Sequence, residues 1–216
     1  MFPGLEHPFM CVFAGPTQSG KTFWVKQILK APHLYIWEPP QRIVWCYGIH
    51  SETQIESIKN FSMLPVEFIE GVPDLDIFSP HERTLLILDD LMAVAGKNKE
   101  VAALFTRGCH HKNVSVILLV QNLYHKGPEM RDLHTNSMYV LLLENPRDYS
   151  QLEYFARQCF PGWKNYLKQC CMHAWRLPFN PVLIIFKQGL PRNRRVCSGL
   201  LPPFRFCWYD PLNMST

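Results

Sequence analysis

The chain has 216 residues, with 22 Lys and Arg against 18 Asp and Glu, a net charge of +4, 47% hydrophobic residues and 19% charged ones. That balance excludes an intrinsically disordered chain, and the length suits one domain with a sizeable core. The modest positive excess permits a nucleic-acid partner without requiring one.

In chain order, residues 9–14 form an apolar run that predicts a short strand. Gly15-Pro16-Thr17-Gln18-Ser19-Gly20-Lys21-Thr22 follows, which fits the pattern G-x-x-x-x-G-K-[ST]. A helix is expected from Gly20 to Leu29, ended by Ala31-Pro32 because proline removes a donor and clashes with the preceding turn. Strand, glycine-bounded loop and helix are the context in which this pattern cradles phosphates on backbone N–H groups. Lys21 then has the position to neutralise the β- and γ-phosphates of ATP, and the Thr22 hydroxyl the position to hold Mg²⁺.

Residues 37–40 read as a linker and 42–47 as a β-branched and aromatic strand. A helix over 51–61 has a capping-type start in Ser51 and Gln54. A short strand at 66–69 and a proline-containing loop over 71–83 come next. Residues 84–88 are apolar throughout, as expected of a strand buried on both faces of a parallel sheet. Helical spacing recurs over 96–108, 128–133, 148–159 and 163–171, and buried strands are expected at 113–120, 138–143 and 182–186. Alternating strands and helices predict an α/β fold with a mainly parallel sheet covered on both faces. Residues 1–190 are expected to form this domain, and 191–216, basic and then rich in proline and aromatics, an irregular tail.

Asp89 and Asp90 follow the third apolar strand on the edge where ligands of open α/β sheets bind. Asp89 is a candidate Mg²⁺ ligand and Asp90 a candidate to polarise the attacking water; a helix N-cap followed by a first-turn acid is the bland alternative. Gln121 ends another strand on that edge, where it could orient water or merely terminate the strand. Arg107 and Arg147 are rival candidates for an arginine reaching a neighbouring subunit's site.

The eight cysteines form no C-x-x-C pair, and Cys170-Cys171-x-His173 and Cys109-His110-His111 lack the two-pair spacing of a structural zinc site. Residues 1–7 lack the basic and apolar regions of a signal peptide, so free thiols in a reduced, intracellular compartment are expected. No apolar run approaches the roughly 18 residues that span a bilayer.

The order of five segments carries a resemblance: residues 15–22, Leu85-Leu-Ile-Leu-Asp89-Asp90-Leu91, Thr106-Arg-Gly-Cys-His-His-Lys-Asn-Val-Ser115, Val120-Gln-Asn-Leu-Tyr124 and Leu143-Glu-Asn-Pro-Arg-Asp148. From about residue 9 to 190 the chain resembles viral genome-packaging ATPases of the HerA/FtsK superfamily, found in poxviruses, other large DNA viruses, virophages and the Polinton/adintovirus group. The resemblance implies a RecA-like ASCE P-loop NTPase fold, with the Gln121 strand between the phosphate-loop strand and the acidic strand. It implies Gln121 as sensor, Asp89 at the metal site, Asp90 as catalytic acid and Arg107 as the trans arginine. The superfamily often has glutamate where this chain has Asp90, one methylene shorter. It further implies an ATP- and Mg²⁺-dependent homo-oligomeric ring that translocates double-stranded DNA into a capsid. Capsid proteins would be partners, at sites of virion assembly in the host nucleus or cytoplasm. Lys97, Lys99, Lys112 and the basic residues 192–195 are candidate contacts to DNA phosphates, and the last cluster could equally be a nuclear-localisation patch. Two other readings share the loop: a small-molecule kinase, which would need an arginine-rich lid, and a non-hydrolysing NTP-binding assembly protein.

Overall fold

The computed structural model of the protein describes residues 4–91, 111–123, 136–201 and 204–211. Six strands run parallel: β2 (Met10–Ala14), β4 (Arg42–Tyr47), β5 (Val66–Glu70), β6 (Thr84–Asp89), β7 (Val114–Val120) and β8 (Tyr139–Leu142). Three antiparallel strands extend the sheet beyond β8: β9 (Val182–Ile185), β10 (Val196–Ser198) and β11 (Cys207–Trp208). The spatial order is β11-β10-β9-β8-β2-β7-β6-β4-β5. As the resemblance implied, β7 lies between the loop-bearing β2 and the acidic β6.

Helices cover both faces because each central strand is apolar on both. From β2, Met10, Val12 and Ala14 face a core shared with α4 (Ser150–Cys159) and α5 (Lys164–Ala174). Cys11 and Phe13 face the opposite core, which holds Trp24, Val25, Ile28 and Leu29 of α1 (Lys21–Lys30) and Ile58 of α3 (Glu52–Phe61). This is the two-residue alternation of a strand buried on both sides.

The structure departs from expectation in two places. The segment after residue 190, expected to be an irregular tail, contributes β10 and β11 to the same sheet. Tyr209 fastens it: its hydroxyl bonds Ser198 Oγ at 2.8 Å and His173 Nδ1 at 2.9 Å, and its carbonyl accepts from Tyr166 Oη at 2.8 Å. Strands of two and three residues are too short to show a period. Residues 36 and 37, the latter expected in a linker, form β3 (Ile36–Trp37), which pairs with β1 (Leu5–Glu6) in a separate two-stranded sheet. A four-residue helix, α2 (Pro32–Tyr35), leads into β3. The helices expected over 96–108 and 128–133, with Lys97, Lys99, Arg107, Cys109 and His110, lie outside the described residues. No helix among the described residues is long and apolar enough to cross a membrane.

Candidate active site

The loop of residues 15–20 leaves β2 at the C-terminal edge of the parallel strands, and Gly15 N donates to Val120 O at 3.1 Å, tying its start to the end of β7. Gly15 has no room for a side chain. A Cβ there would lie 2.5 Å from Ser19 Oγ and 2.8 Å from Leu143 Cβ. Ser19 Oγ is buried and has no hydrogen-bond partner among the described residues. Gly20, at φ +104°, turns the chain into α1, a conformation that favours glycine. Thr17 and Gln18 are exposed.

Lys21 opens α1 and folds back over the loop, donating from Nζ to the carbonyls of Gly15 at 2.6 Å and Pro16 at 2.8 Å. Burial pulls its pKa below the ordinary lysine value, and the charges of Asp89 and Asp90 act the other way. The partly buried ammonium thus has two neutral acceptors and two carboxylates nearby, a setting that an entering polyanion would improve.

Asp89 ends β6, paired in register with Tyr47 of β4 and Leu119 of β7. Burial raises its carboxyl above the ordinary value and the Asp90 charge adds to that; the Gln54 amide, Lys21 and Trp45 oppose it. Gln54 Nε2 donates to Asp89 Oδ2 at 2.8 Å. The next residue, Asp90, is exposed and has φ +55°, a left-handed conformation that costs about 1–2 kcal/mol for a side chain with Cβ. Leu85, Leu86, Ile87 and Leu88 just before it are all buried, at about 1.5–3 kcal/mol each, so β6 readily holds a strained end. Gly48 admits the turn: a Cβ on it would meet the Asp90 carbonyl at 2.9 Å. Gln121 Nε2 reaches Asp90 Oδ1 at 3.4 Å.

The loop, the two aspartates and Gln121 border one cleft of about 420 Å³, lined also by Phe23, Tyr47, Ile49, Ser51 and Gln54. Thr17, Gln18, Gly20, Lys21 and Thr22 reach it directly. Its donors suit an anion at the loop, and the Thr22 hydroxyl and the Asp89 carboxylate are hard oxygen ligands of the kind Mg²⁺ takes. Arg147 is exposed in the turn after β8, its N–H donating to Asn145 Oδ1 at 3.2 Å, and does not line the cleft. The sequence offered Gln54 only as part of a helix cap and gave no sign of Gly48, Tyr47 or Ile49 at the site. The arginine cluster lies at the other end of the sheet, where Ile185 N donates to Arg195 O at 2.8 Å. There Arg192 stacks on Trp163 at 5.6 Å and Arg194 on Trp208 at 5.3 Å. Lys112 pairs with Asp76 at 3.4 Å.

A sequence model of the family described as "Poxvirus A32 protein" matches residues 4–141, more than half of the chain, from β1 through the phosphate loop and the acidic strand to β8. The chain belongs to the poxvirus A32 protein family. No curated protein matches this A32-family chain. Among solved structures, its fold is similar to that of B204, the DNA-packaging ATPase from Sulfolobus turreted icosahedral virus. The identity is 12% over 84% of this chain and 94% of that one, with a TM-score of 0.57. The genome packaging NTPase B204 from Sulfolobus turreted icosahedral virus 2, in complex with ATP-γS, matches at 14% identity over 86% and 93% of the two chains, TM-score 0.50. The cytoplasmic domain of the type VII secretion ATPase EccC from Thermomonospora curvata matches 93% of the A32-family chain with 25% of its own, at 14% identity and a TM-score of 0.52. At these identities the likeness is one of fold: a P-loop NTPase sheet.

Proposed function

We propose that the chain is an ATP-hydrolysing motor that moves double-stranded viral DNA into a capsid. The observation that carries this reading is the meeting of the phosphate loop, Asp89, Asp90 and Gln121 around one cleft at one edge of the sheet. Membership of the A32 family and the likeness in fold to B204, a DNA-packaging ATPase, support it.

ATP is the substrate. The backbone N–H groups of residues 15–20 and the N-terminus of α1 bind its phosphates, and Lys21 exchanges its two carbonyl acceptors for phosphate oxygens. Thr22 and Asp89 would hold Mg²⁺, which would supply positive charge against the phosphates. Gln54 fixes the Asp89 carboxylate through its amide. Asp90 takes the proton of the attacking water, and Gln121, within reach of Asp90, orients that water. An arginine from a neighbouring subunit of a homo-oligomeric ring, Arg107 or Arg147, completes the site. Loss of the γ-phosphate then lets one subunit shift against the next.

DNA is held through its phosphates, a sequence-independent interaction of basic side chains. Arg192, Arg194 and Arg195 are candidates, since among the described residues no carboxylate lies within 4 Å of them. Capsid proteins are the further partners, at sites of virion assembly in the host cell. The deciding experiment measures ATP turnover with and without double-stranded DNA, beside the mass of the assembly. Turnover stimulated by DNA and lost in Lys21→Ala is expected; a Lys21→Ala protein as active as the wild type overturns the assignment.

A further inference from the structure

The turn after α5 is strained in an unusual way. Asn180 N donates to Leu177 O at 3.2 Å, closing a four-residue turn with Pro178 second and Phe179 third. Phe179 has φ +61°. Proline followed by a left-handed residue is the type II arrangement, whose third position ordinarily takes glycine or asparagine. A bulky side chain there persists only where its surroundings fix it.

Two anchors do so. Trp24 Nε1, from α1, donates to Phe179 O at 2.9 Å. Asn180 is buried, with its amide donating to Ala174 O at 3.0 Å and accepting from Gly199 N at 3.1 Å. Phe179 is 55% exposed, so burial does not offset the strain. Its ring lies beside the phosphate loop instead: a Cβ on Gly20 would come within 2.9 Å of the ring edge.

A nucleotide with its phosphates on the loop has a sugar and base to place beyond it, and the first turn of α1 directly adjoins the loop. Apolar surface there comes from Phe179 and from Phe23, which lines the cleft and is 46% exposed. Resting on the nucleotide reading of the site, we infer that Phe179 is the stacking platform for the base of a purine nucleotide, held in a strained turn so that its ring borders the phosphate loop. The polar side-chain groups of Trp24 and Asn180 are occupied in the anchors. The platform therefore selects by ring area, taking adenine and guanine alike and pyrimidines less well.

The test titrates the full chain, wild type and Phe179→Gly, with ATP and with inorganic tripolyphosphate by calorimetry. Glycine suits φ +61°, so the variant keeps its melting temperature while losing the ring. ATP affinity should fall about tenfold, as for loss of one stacked base, with tripolyphosphate affinity unchanged. Phe179→Trp should keep ATP affinity and report ATP, but not tripolyphosphate, by a change in indole fluorescence. Equal weakening of both ligands in Phe179→Gly, or no change in either, overturns the platform and leaves the phosphate site standing. A wild-type chain that binds neither ligand removes the nucleotide reading itself.

Discussion

Gln54 Nε2 donates to Asp89 Oδ2 at 2.8 Å, joining the first turn of α3 to the end of β6. The backbone of the same residue is capped, with Gln54 N donating to Ser51 Oγ at 3.4 Å. A capping box would send the glutamine side chain back to the Ser51 N–H. Here it goes to a half-buried carboxylate, where a hydrogen bond to charge is worth more than one to a neutral group at a helix end.

Gln54→Leu should therefore lower ATP turnover about ten- to hundredfold, the equivalent of the roughly 1.5–3 kcal/mol of a hydrogen bond to a charged group. The fold should survive, because the Ser51 cap remains. Gln54 holds the Asp89 pKa down, so its loss should move the acid limb of the pH–rate profile to higher pH. Gln54→Glu, which sets a second negative charge against Asp89, should be worse. A Gln54→Leu enzyme with an unmoved acid limb would show that the contact does not govern Asp89.

Asp89 also makes the site a source of instability. Its folded pKa lies above the ordinary 3.8, chiefly through burial, so the unfolded chain releases this proton first. The stability contribution of the carboxyl is therefore most favourable below pH 3.8 and declines as pH rises through the folded value. At neutral pH, Asp89→Asn, which keeps an acceptor for Gln54, should raise the melting temperature of the nucleotide-free protein while abolishing turnover. The gain should shrink as the pH falls towards 3.8. Melting curves across pH check this, and an asparagine variant that melts lower than wild type at pH 7 contradicts it.

What the sequence made legible follows from local chemistry. The loop at 15–22 and the run at 85–88 announce themselves because glycine spacing and unbroken apolarity are properties of contiguous residues. Gln54, Gly48 and Phe179 do not, because their roles depend on register. Gln54 reaches Asp89 only because β4 and β6 pair with Tyr47 opposite Asp89. Phe179 reaches Gly20 across 159 positions of chain, through an indole bond from Trp24 that no period reveals. The order of β2, β7 and β6 came from resemblance, since apolar runs alone do not say which strand lies beside which.

Two glycine substitutions separate loop chemistry from plain stability. In Gly15→Ala the new Cβ meets Ser19 and Leu143, a clash that should cost about 1–3 kcal/mol and displace the loop, with loss of ATP binding. Gly162, at φ +83° between α4 and α5, has open space around it, so Gly162→Ala should cost about 1–2 kcal/mol through backbone strain alone. The two proteins should lose similar stability in denaturant titrations, yet only Gly15→Ala should lose ATP binding. Equal ATP affinity in both would show that the loop tolerates the added methyl.

The last strands invite a test of a different kind, because they decide whether the end of the chain is part of the fold. The Tyr209 hydroxyl bridges Ser198 in β10 and His173 in α5, at 2.8 and 2.9 Å, and none of the three lines the cleft. Tyr209→Phe keeps the ring and removes both bonds, leaving the buried Ser198 hydroxyl without that partner. At about 1 kcal/mol for each bond, a loss of about 2 kcal/mol is expected. It should appear as a lower urea midpoint with an unchanged slope, since the surface exposed on unfolding is the same. ATP turnover at low temperature should not change. An unaltered midpoint would mean that β10 and β11 contribute little to holding the sheet together. A reduced slope would mean that they come away before the rest of it unfolds.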